Sequence, residues 1–413
     1  MRLILGLLGM MMPMLRANLI AQEKAPELAR APSLQQCAHD SVVISWKTSQ
    51  PAFSEIHFSA NQSFAQKVKS DTAATFHALA LRKLEAGQRY NYRVVVAGQV
   101  AYESHFRAYP KPGASNAKPF GFWMIGDGGS GAAMQFAVRD QIQKLVDEGA
   151  VDFGLYLGDI VYDKGAEEAQ DPHYFTPYQK ILDQQVCWPA LGNHDVHIQE
   201  GAAYYNNRVL PAPDSLADLW HPERWYAFTH GPALFIALDS RTPEDNMQLA
   251  FLRHQLATHR NLLWKFVFFH HPPYATPYLK KGKCRRMSEM AVRELWSPIF
   301  EEFEVDFVFA GHNHSYQRSE LRRDFFPEKR GVYYIVSGGG GESAHAVALV
   351  DSICHRPALQ QAAAQSDTFH LAQVRIDGLK LTLRAIDIEG RVFDAFEYSK
   401  SEKAEPTRIE TKN

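Results

Sequence analysis

The sequence predicts an α/β protein in two parts, a β-sandwich followed by a layered domain of strands and helices, and three observations predict it. Between Pro32 and Tyr109, short runs alternate apolar and polar residues with no helical period. Pro110, Pro112, Gly113 and Pro119 then interrupt any regular element. After Pro119 the texture changes to short apolar runs separated by longer amphipathic stretches, the pattern of strands buried on both faces with helices packed over them.

Taken in order, residues 1–21 carry one early charge, Arg2, an apolar run from Leu3 to Leu15, and small residues at Ala17 and Ala21. That is a signal-peptide pattern. A membrane anchor is the weaker reading, because a spanning helix needs roughly 18–20 apolar residues and Pro13 breaks this run. An exported chain, periplasmic or secreted, with no membrane span after processing is expected. Residues 32–109 form the sandwich, with strands at Ser41–Trp46, Ser54–Phe58, Tyr90–Val96 and Tyr102–Ala108, and with Trp46 in its core. Residues 110–119 are the linker. In the second domain, residues 120–398, Phe120–Ile125 is the first strand, and Phe136, Val138, Ile142, Leu145 and Val146 mark an amphipathic helix closed by Gly149. Buried strands follow at Phe153–Leu157, Val186–Leu191, Ala233–Leu238, Trp264–Phe269 and Val305–Ala310. Phe369–Ile376, Lys380–Ile386 and Val392–Tyr398 alternate as antiparallel strands, and the polar tail, 399–413, is expected to be disordered.

With 413 residues, 46% of them hydrophobic, the chain has enough apolar mass for a large core. A formal net charge of −2 leaves no electrostatic footprint for nucleic acid or an anionic membrane, so any phosphate recognition has to be local. Cys37, Cys187, Cys284 and Cys354 fit no zinc spacing and form no CxxC pair. Two readings stay open for them: a Cys284–Cys354 bridge between loops in an oxidising compartment, or four free buried thiols.

The chemistry lies after the apolar runs, because ligands in open α/β sheets bind at strand carboxyl ends. Five runs end in residues that can ligate metal: Gly126-Asp127, Gly158-Asp159-Ile160-Val161-Tyr162, Gly192-Asn193-His194-Asp195, Val267-Phe268-Phe269-His270, and Gly311-His312-Asn313-His314. Glycine ahead of the ligand permits a sharp turn and close approach, while carboxylate and imidazole suit divalent and trivalent transition metals. Each motif alone is weak; five in order are specific.

The order GD, GDxxY, GNH, VxxH, GHxH resembles the purple acid phosphatases among the calcineurin-like metallophosphoesterases, from Phe120 to about Tyr398. Leu84, Gly87 and Tyr90 likewise resemble the tyrosine corner of a fibronectin type III domain, which fits the front of that family. The resemblance implies an αββα metallophosphoesterase layer in which Asp127, Asp159, Tyr162 and His314 hold one metal and Asp159, Asn193, His270 and His312 the second, with Asp159 bridging. It implies Fe(III), favoured by the Tyr162 phenolate, beside a divalent Zn, Mn or Fe. Two such cations roughly 3.5–4 Å apart lower the pKa of a shared water and clamp the phosphoryl oxygens. A metal-bound hydroxide is then the expected nucleophile on a phosphate monoester.

His194 is implied as the catalytic residue that stays off the metals and assists the leaving group, with Asn193 and His271 also facing substrate. Against these stand blander readings. His194 can be a core histidine, His271 structural filler, and Asp195 either an orienting carboxylate for His194 or an exposed turn residue. Adjacent residues at a strand end diverge, which argues against His270 and His271 sharing one ion. Tyr316 and Arg318 resemble loop support after GHxH, with Gln317 where the family has Glu. The run Tyr278-Leu279-Lys280-Lys281-Gly282-Lys283-Cys284-Arg285-Arg286 replaces the family's histidines there; it reads first as a solvated loop and second as a basic rim that steers phosphate. Gly338–Gly341 lack a following Lys-Ser/Thr and read as tight packing near the metals. Asp239 reads as loop support. Rival functions are a phosphodiesterase or nucleotide pyrophosphatase with the same centre, and a noncatalytic adhesion protein. The natural substrate and the oligomeric state leave no mark on the sequence.

Overall fold

The computed structural model describes residues 27–114, 118–211, 222–280, 283–285, 289–346 and 362–400. The predicted signal segment, Cys354 and the tail beyond Lys400 lie outside the described residues.

Seven strands build the front of the chain: β1 (Leu28–Cys37), β2 (Ser41–Ala52), β3 (Ser54–Ser59), β4 (Gln66–Lys69), β5 (Ala74–Arg82), β6 (Arg89–Val96) and β7 (Gln99–Arg107). They form two antiparallel sheets, β1-β2-β5 and β4-β3-β6-β7. The sequence reading starts the sandwich at Pro32, but the structure starts it at Leu28, because the β1–β2 register shifts between Arg30 and Ser33 and so tolerates a proline with no N–H. Trp46 is fully buried and stacks on His77 at 5.1 Å. The Tyr90 hydroxyl accepts the Glu85 N–H at 2.9 Å and ties the turn before β6 to its own backbone.

The second part stacks two sheets. One has the order β10-β9-β8-β20-β21-β22, from β8 (Phe120–Ile125), β9 (Phe153–Tyr156), β10 (Cys187–Pro189), β20 (His370–Asp377), β21 (Lys380–Asp387) and β22 (Val392–Ser399). The other has the order β11-β12-β13-β16-β18-β17-β19, from β11 (Tyr226–His230), β12 (Ala233–Ala237), β13 (Trp264–Phe268), β16 (Phe307–Ala310), β17 (Tyr316–Ser319), β18 (Tyr333–Ser337) and β19 (Ala362–Ser366). A small hairpin, β14 (Tyr278–Lys280) and β15 (Lys283–Arg285), stands apart from both.

Strand β12 shows why the apolar runs are continuous. Ala233, Phe235 and Ala237 join the core between the sheets, whereas Leu234, Ile236 and Leu238 pack with Phe251, Leu252, Val292 and Trp296 of the two outer helices, Asn246–Thr258 and Met290–Glu302. Phe122 of β8 meets Phe235, Phe266 and Phe309 of the facing sheet edge-on at 5.3–5.9 Å. On the far side of the first sheet, helix Ala133–Asp147 buries Val138, Ile142 and Val146. The result is the αββα layering that the sequence predicts. Parallel pairing along β10-β9-β8 and β12-β13-β16-β18 points each set of strands one way.

The tail departs from expectation at its start. Ser399 completes β22, and Lys400 is held by the buried Asp306 at 2.7 Å, because that carboxylate needs cations around it. The two parts of the chain are joined by polar contacts: the Tyr102 hydroxyl donates to the Asp183 carboxylate at 2.9 Å, Trp188 Nε1 donates to the Tyr109 hydroxyl at 3.0 Å, and the Arg30 guanidinium pairs with Asp171.

Candidate metal centre

The carboxyl ends of β8, β9, β10, β13 and β16 meet at one edge of the two-sheet stack, each releasing its site residue within a few positions of the strand end. Asp127, Asp159 and His312 leave with positive φ, 59°, 53° and 67°. Such backbone costs about 1–2 kcal/mol per residue for an L side chain and persists only where the surroundings enforce it. Glycines make the approach possible. A Cβ on Gly192 would lie 2.1 Å from both the Asp159 N and Oδ1, and one on Gly158, at φ 85°, would lie 2.5 Å from His270 Nδ1.

Two groups of donor atoms result. The Tyr162 hydroxyl lies 3.2 Å from Asp127 Oδ1, 3.0 Å from Asp159 Oδ2 and 3.2 Å from His314 Nε2. His270 Nε2 lies 3.1 Å from Asn193 Oδ1, 3.2 Å from Asp159 Oδ2 and 3.2 Å from His312 Nδ1. Asp159 Oδ2 belongs to both. Oxygen and nitrogen donors roughly 2.1 Å from one ion, at right angles, are about 3.0 Å apart, so both groups have the spacing of a coordination shell. Asp127, Asp159 and His270 bring ligand atoms within 4.8 Å of one another.

The ring nitrogens away from the centre fix the imidazoles. His270 Nδ1 donates to the Leu157 carbonyl at 2.8 Å, and His314 Nδ1 to the Ser343 carbonyl at 2.6 Å. Each then turns an Nε2 lone pair inward. A proton on His270 would satisfy one of its inward contacts, whereas a cation among the donors satisfies all of them. The carboxylates are held too: Asp127 Oδ2 accepts the His312 N–H at 2.7 Å, and Asp159 Oδ1 accepts the His194 N–H at 2.8 Å.

The field at this point favours positive charge. Burial opposes charge on His270, but the Asp159 and Asp127 carboxylates outweigh it and raise the imidazole to about 9. Burial likewise disfavours the Asp159 carboxylate, yet His270 and His194 keep it well below the usual carboxylate range. Burial and the two carboxylates push the Tyr162 phenol far up, so its ionisation requires a cation on the oxygen. The donor set fits a pair of metal ions.

Other side chains named from the sequence surround these donors. His194 stands aside: its Nδ1 donates to the Asp163 carbonyl at 2.6 Å, its Nε2 is 4.0 Å from Asp159 Oδ2, and its side chain is 27% exposed. Asp195 neither orients His194 nor sits exposed; it is buried and accepts the N–H groups of Ile160, Val161 and Gly192 at 2.8, 3.1 and 2.9 Å, stapling the Asp159 loop to the Asn193 loop. His271 does not diverge from His270. The chain leaves the strand after Phe268, the two rings lie 4.8 Å apart, and His270, His271 and His312 bring nitrogens within 4.8 Å of one another. His271 Nδ1 pairs with Ser240 Oγ at 2.9 Å, and burial with the neighbouring His270 pushes its imidazole down to about 3.

Where the family's Glu is replaced, Gln317 accepts the Thr276 N–H at 2.7 Å, and Arg318 pairs bidentately with Asp394 instead, at 2.8 and 3.0 Å. A Cβ on Gly338 would lie 2.8 Å from Asp127 Oδ2, so the glycine run does pack on the centre. Asp239 is buried between Arg224 and Arg241, as loop support requires. Lys283 and Arg285 are exposed, while Tyr278 faces inward. Cys37 and Cys187 are free and buried, and Cys284 is disulfide-bonded. Two residues have no sequence motif behind them. His173 Nδ1 donates to the Tyr162 carbonyl at 2.9 Å, and His345 lies beside His314; the available signal for the latter was a histidine four residues past the glycine run.

Residues 122–316 match the family described as calcineurin-like phosphoesterase. Purple acid phosphatase 1 of Ipomoea batatas is 26% identical over 304 residues, covering 68% of this chain and 62% of that protein. An uncharacterized protein of Mycobacterium tuberculosis is 26% identical over 334 residues, covering 68% of this chain and 61% of its own length. The chain thus spans about three-fifths of the length of these curated relatives. A purple acid phosphatase from yellow lupin seeds superposes with a TM-score of 0.75 at 18% identity, covering 90% of this chain and 74% of the other, and so shares the fold. Residues 122–316 of this chain thus resemble the calcineurin-like phosphoesterase family, purple acid phosphatases are among the proteins it is similar to, and a β-rich domain stands in front of the matched layers.

Proposed function

We propose that the chain is a metal-dependent phosphatase that hydrolyses phosphate monoesters at a two-cation centre. The observation that carries this reading is the single oxygen Asp159 Oδ2, within 3.2 Å of both donor groups, where a bridging ligand has to be. Asp127, Tyr162 and His314 would complete one site, and Asn193, His270 and His312 the other. Bound there, a pair of cations acidifies water and stabilises charge on the phosphoryl oxygens of an in-line displacement. Fe(III) on the Tyr162 side with Zn, Mn or Fe(II) on the other suits a hard phenolate beside nitrogen donors.

The chain's own side chains supply the rest. His194 has its Nδ1 hydrogen committed to the Asp163 carbonyl, which leaves Nε2 as the atom that, when protonated, delivers a proton to the departing alkoxide. Its tilted packing against Tyr162, with ring centroids 4.5 Å apart and planes at 44°, limits the directions in which that proton points. Asn193 would contact substrate as well as metal through its amide. His271, anchored by Ser240, presents a neutral hydrogen-bonding edge beside His312 rather than a cation. The segment 1–21 as an export signal and the front domain as a fibronectin type III-like module belong to the same reading. Among the described residues no helix is long and apolar enough to cross a membrane.

Elemental analysis of the purified chain, its visible spectrum, and parallel assays on a monoester, a diester and a diphosphate test the proposal together. Two metal ions per chain, a tyrosinate-to-iron band and preferred turnover of the monoester are expected. A chain that holds no metal and turns over no phosphate ester after iron and zinc reconstitution would sink it, and preference for the diester or the diphosphate would revise the substrate class.

A further inference from the structure

His314 is gripped by a segment that no motif marks. Its ring lies parallel to that of His345, with centroids 4.1 Å apart and planes within 2°. The His345 ring stacks in turn on Tyr278 of the β14–β15 hairpin, at 3.8 Å and 13°. The backbones are tied as well: the His314 N–H donates to His345 Nδ1 at 3.0 Å, and the His345 N–H donates to the His314 carbonyl at 2.9 Å. With Ser343 accepting from His314 Nδ1, the loop that follows the glycine run holds this imidazole at one ring face, one ring edge and both backbone groups. On the opposite edge, His314 Nε2 meets Tyr162 and Asp127.

We propose that His345 is a positioning residue for the Tyr162-side metal, acting through His314, with Tyr278 as the outer plate of the stack. The proposal rests on the two-cation reading above and deepens it. An imidazole ligand must hold its lone pair within some tens of degrees of the ion, and outer contacts that fix it are worth about 10–100-fold in metal affinity. Three parallel rings remove the ring-flip and tilt freedom of His314. His345 Nδ1, as an acceptor, removes the remaining freedom of its backbone. By contrast, His270 on the other side is held by the Leu157 carbonyl and has no part in this stack, so the effect belongs to one metal of the two.

The test is chelator-driven metal release from the full-length holoprotein, with the Tyr162-side ion followed by its visible band and the other ion by a colorimetric dye. For His345→Ala, release of the Tyr162-side ion should accelerate about 10–100-fold while the other ion leaves at the wild-type rate. His345→Phe keeps a ring in the stack and loses the acceptor; it should fall between the two, and it carries the test if the alanine variant fails to fold. Tyr278→Ala should show a smaller acceleration on the same side. Wild-type release of both ions from His345→Ala and His345→Phe overturns the proposal, and so does equal acceleration of both ions, which is general loosening. The wild-type control separates the layers of inference: a wild-type chain without two ions overturns the two-cation reading itself, whereas two ions with unchanged release overturns His345 alone.

Discussion

At the scale of single residues, the centre depends on atoms that serve two masters. Asp159 Oδ2 is shared by both donor groups while Asp159 Oδ1 accepts from the His194 backbone, so in the proposed centre one carboxylate would set both the metal spacing and the place of the proton donor. Asp159→Ala should therefore lose both ions and at least about three orders of magnitude in kcat, since a water cannot bridge with the same geometry; metal analysis and steady-state kinetics on the variant check this, and wild-type metal content would refute it. Asp195 shows the complementary case of a carboxylate with no chemistry of its own. Asp195→Ala strands three N–H groups in a dry place, at about 1–3 kcal/mol for each one that finds no substitute acceptor. A loss of about 3 kcal/mol in urea unfolding, with the kcat decline exceeding the change in KM, is the expected outcome. An unaltered unfolding midpoint would mean that water replaces the staple.

At the scale of elements, strand ends do the positioning and the far edges of the sheets hold the strands. The last strand is an example. β22 lies at the outer edge of its sheet, and Lys400, just past its end, reaches the buried Asp306 at 2.7 Å and sits 4.5 Å from the Trp264 ring. Burial raises the Asp306 carboxylate, with Lys400 and Arg330 working against that rise, so the residue is stable as an anion only in cationic company. Lys400→Met leaves Arg330 alone at 2.8 Å. A buried ion loses several kcal/mol when it is left without any partner, so removal of one of two cations should cost about 2 kcal/mol. Chemical unfolding measures it, and the proposed phosphate-ester turnover should hold, because the pair lies at the amino-terminal end of β16, away from the donor atoms. The same element shows where sequence reading stops. The polar composition from Ser399 onward looks disordered, and only the buried carboxylate across the fold reveals that Lys400 is not.

For the whole molecule, what the sequence discloses follows from which atoms carry the information. The five strand ends that carry the donor atoms are legible because side chains do that work and because glycine precedes most of them. The layering is legible because strands such as β12 are apolar on both faces. The supports are not, since His270, His194 and His314 are oriented by the carbonyls of Leu157, Asp163 and Ser343, which any residue possesses. Edge strands such as β4 and β19, polar or alanine-rich, escape for the same reason: pairing makes them, not composition. Two buried histidines outside the donor groups bear on stability in acid. His230, among Tyr109, Phe120 and Phe153, is depressed by burial to about 3, and His370, bonded to Ser337 and Thr368, to about 4. A histidine whose folded pKa lies below its unfolded value of 6.5 takes up its proton in the unfolded chain first. Its contribution is complete above pH 6.5 and is lost as pH falls toward the folded value, at up to about 1.4 kcal/mol per pH unit. His230→Phe, which keeps an aromatic ring among aromatic rings and removes the buried unpaired Nδ1, should flatten the acid limb of unfolding free energy by roughly that slope between pH 6 and pH 4 and leave stability at pH 8 nearly unchanged. Urea midpoints measured across that range check it; an acid limb as steep as wild type would show that His230 is already protonated in the folded chain.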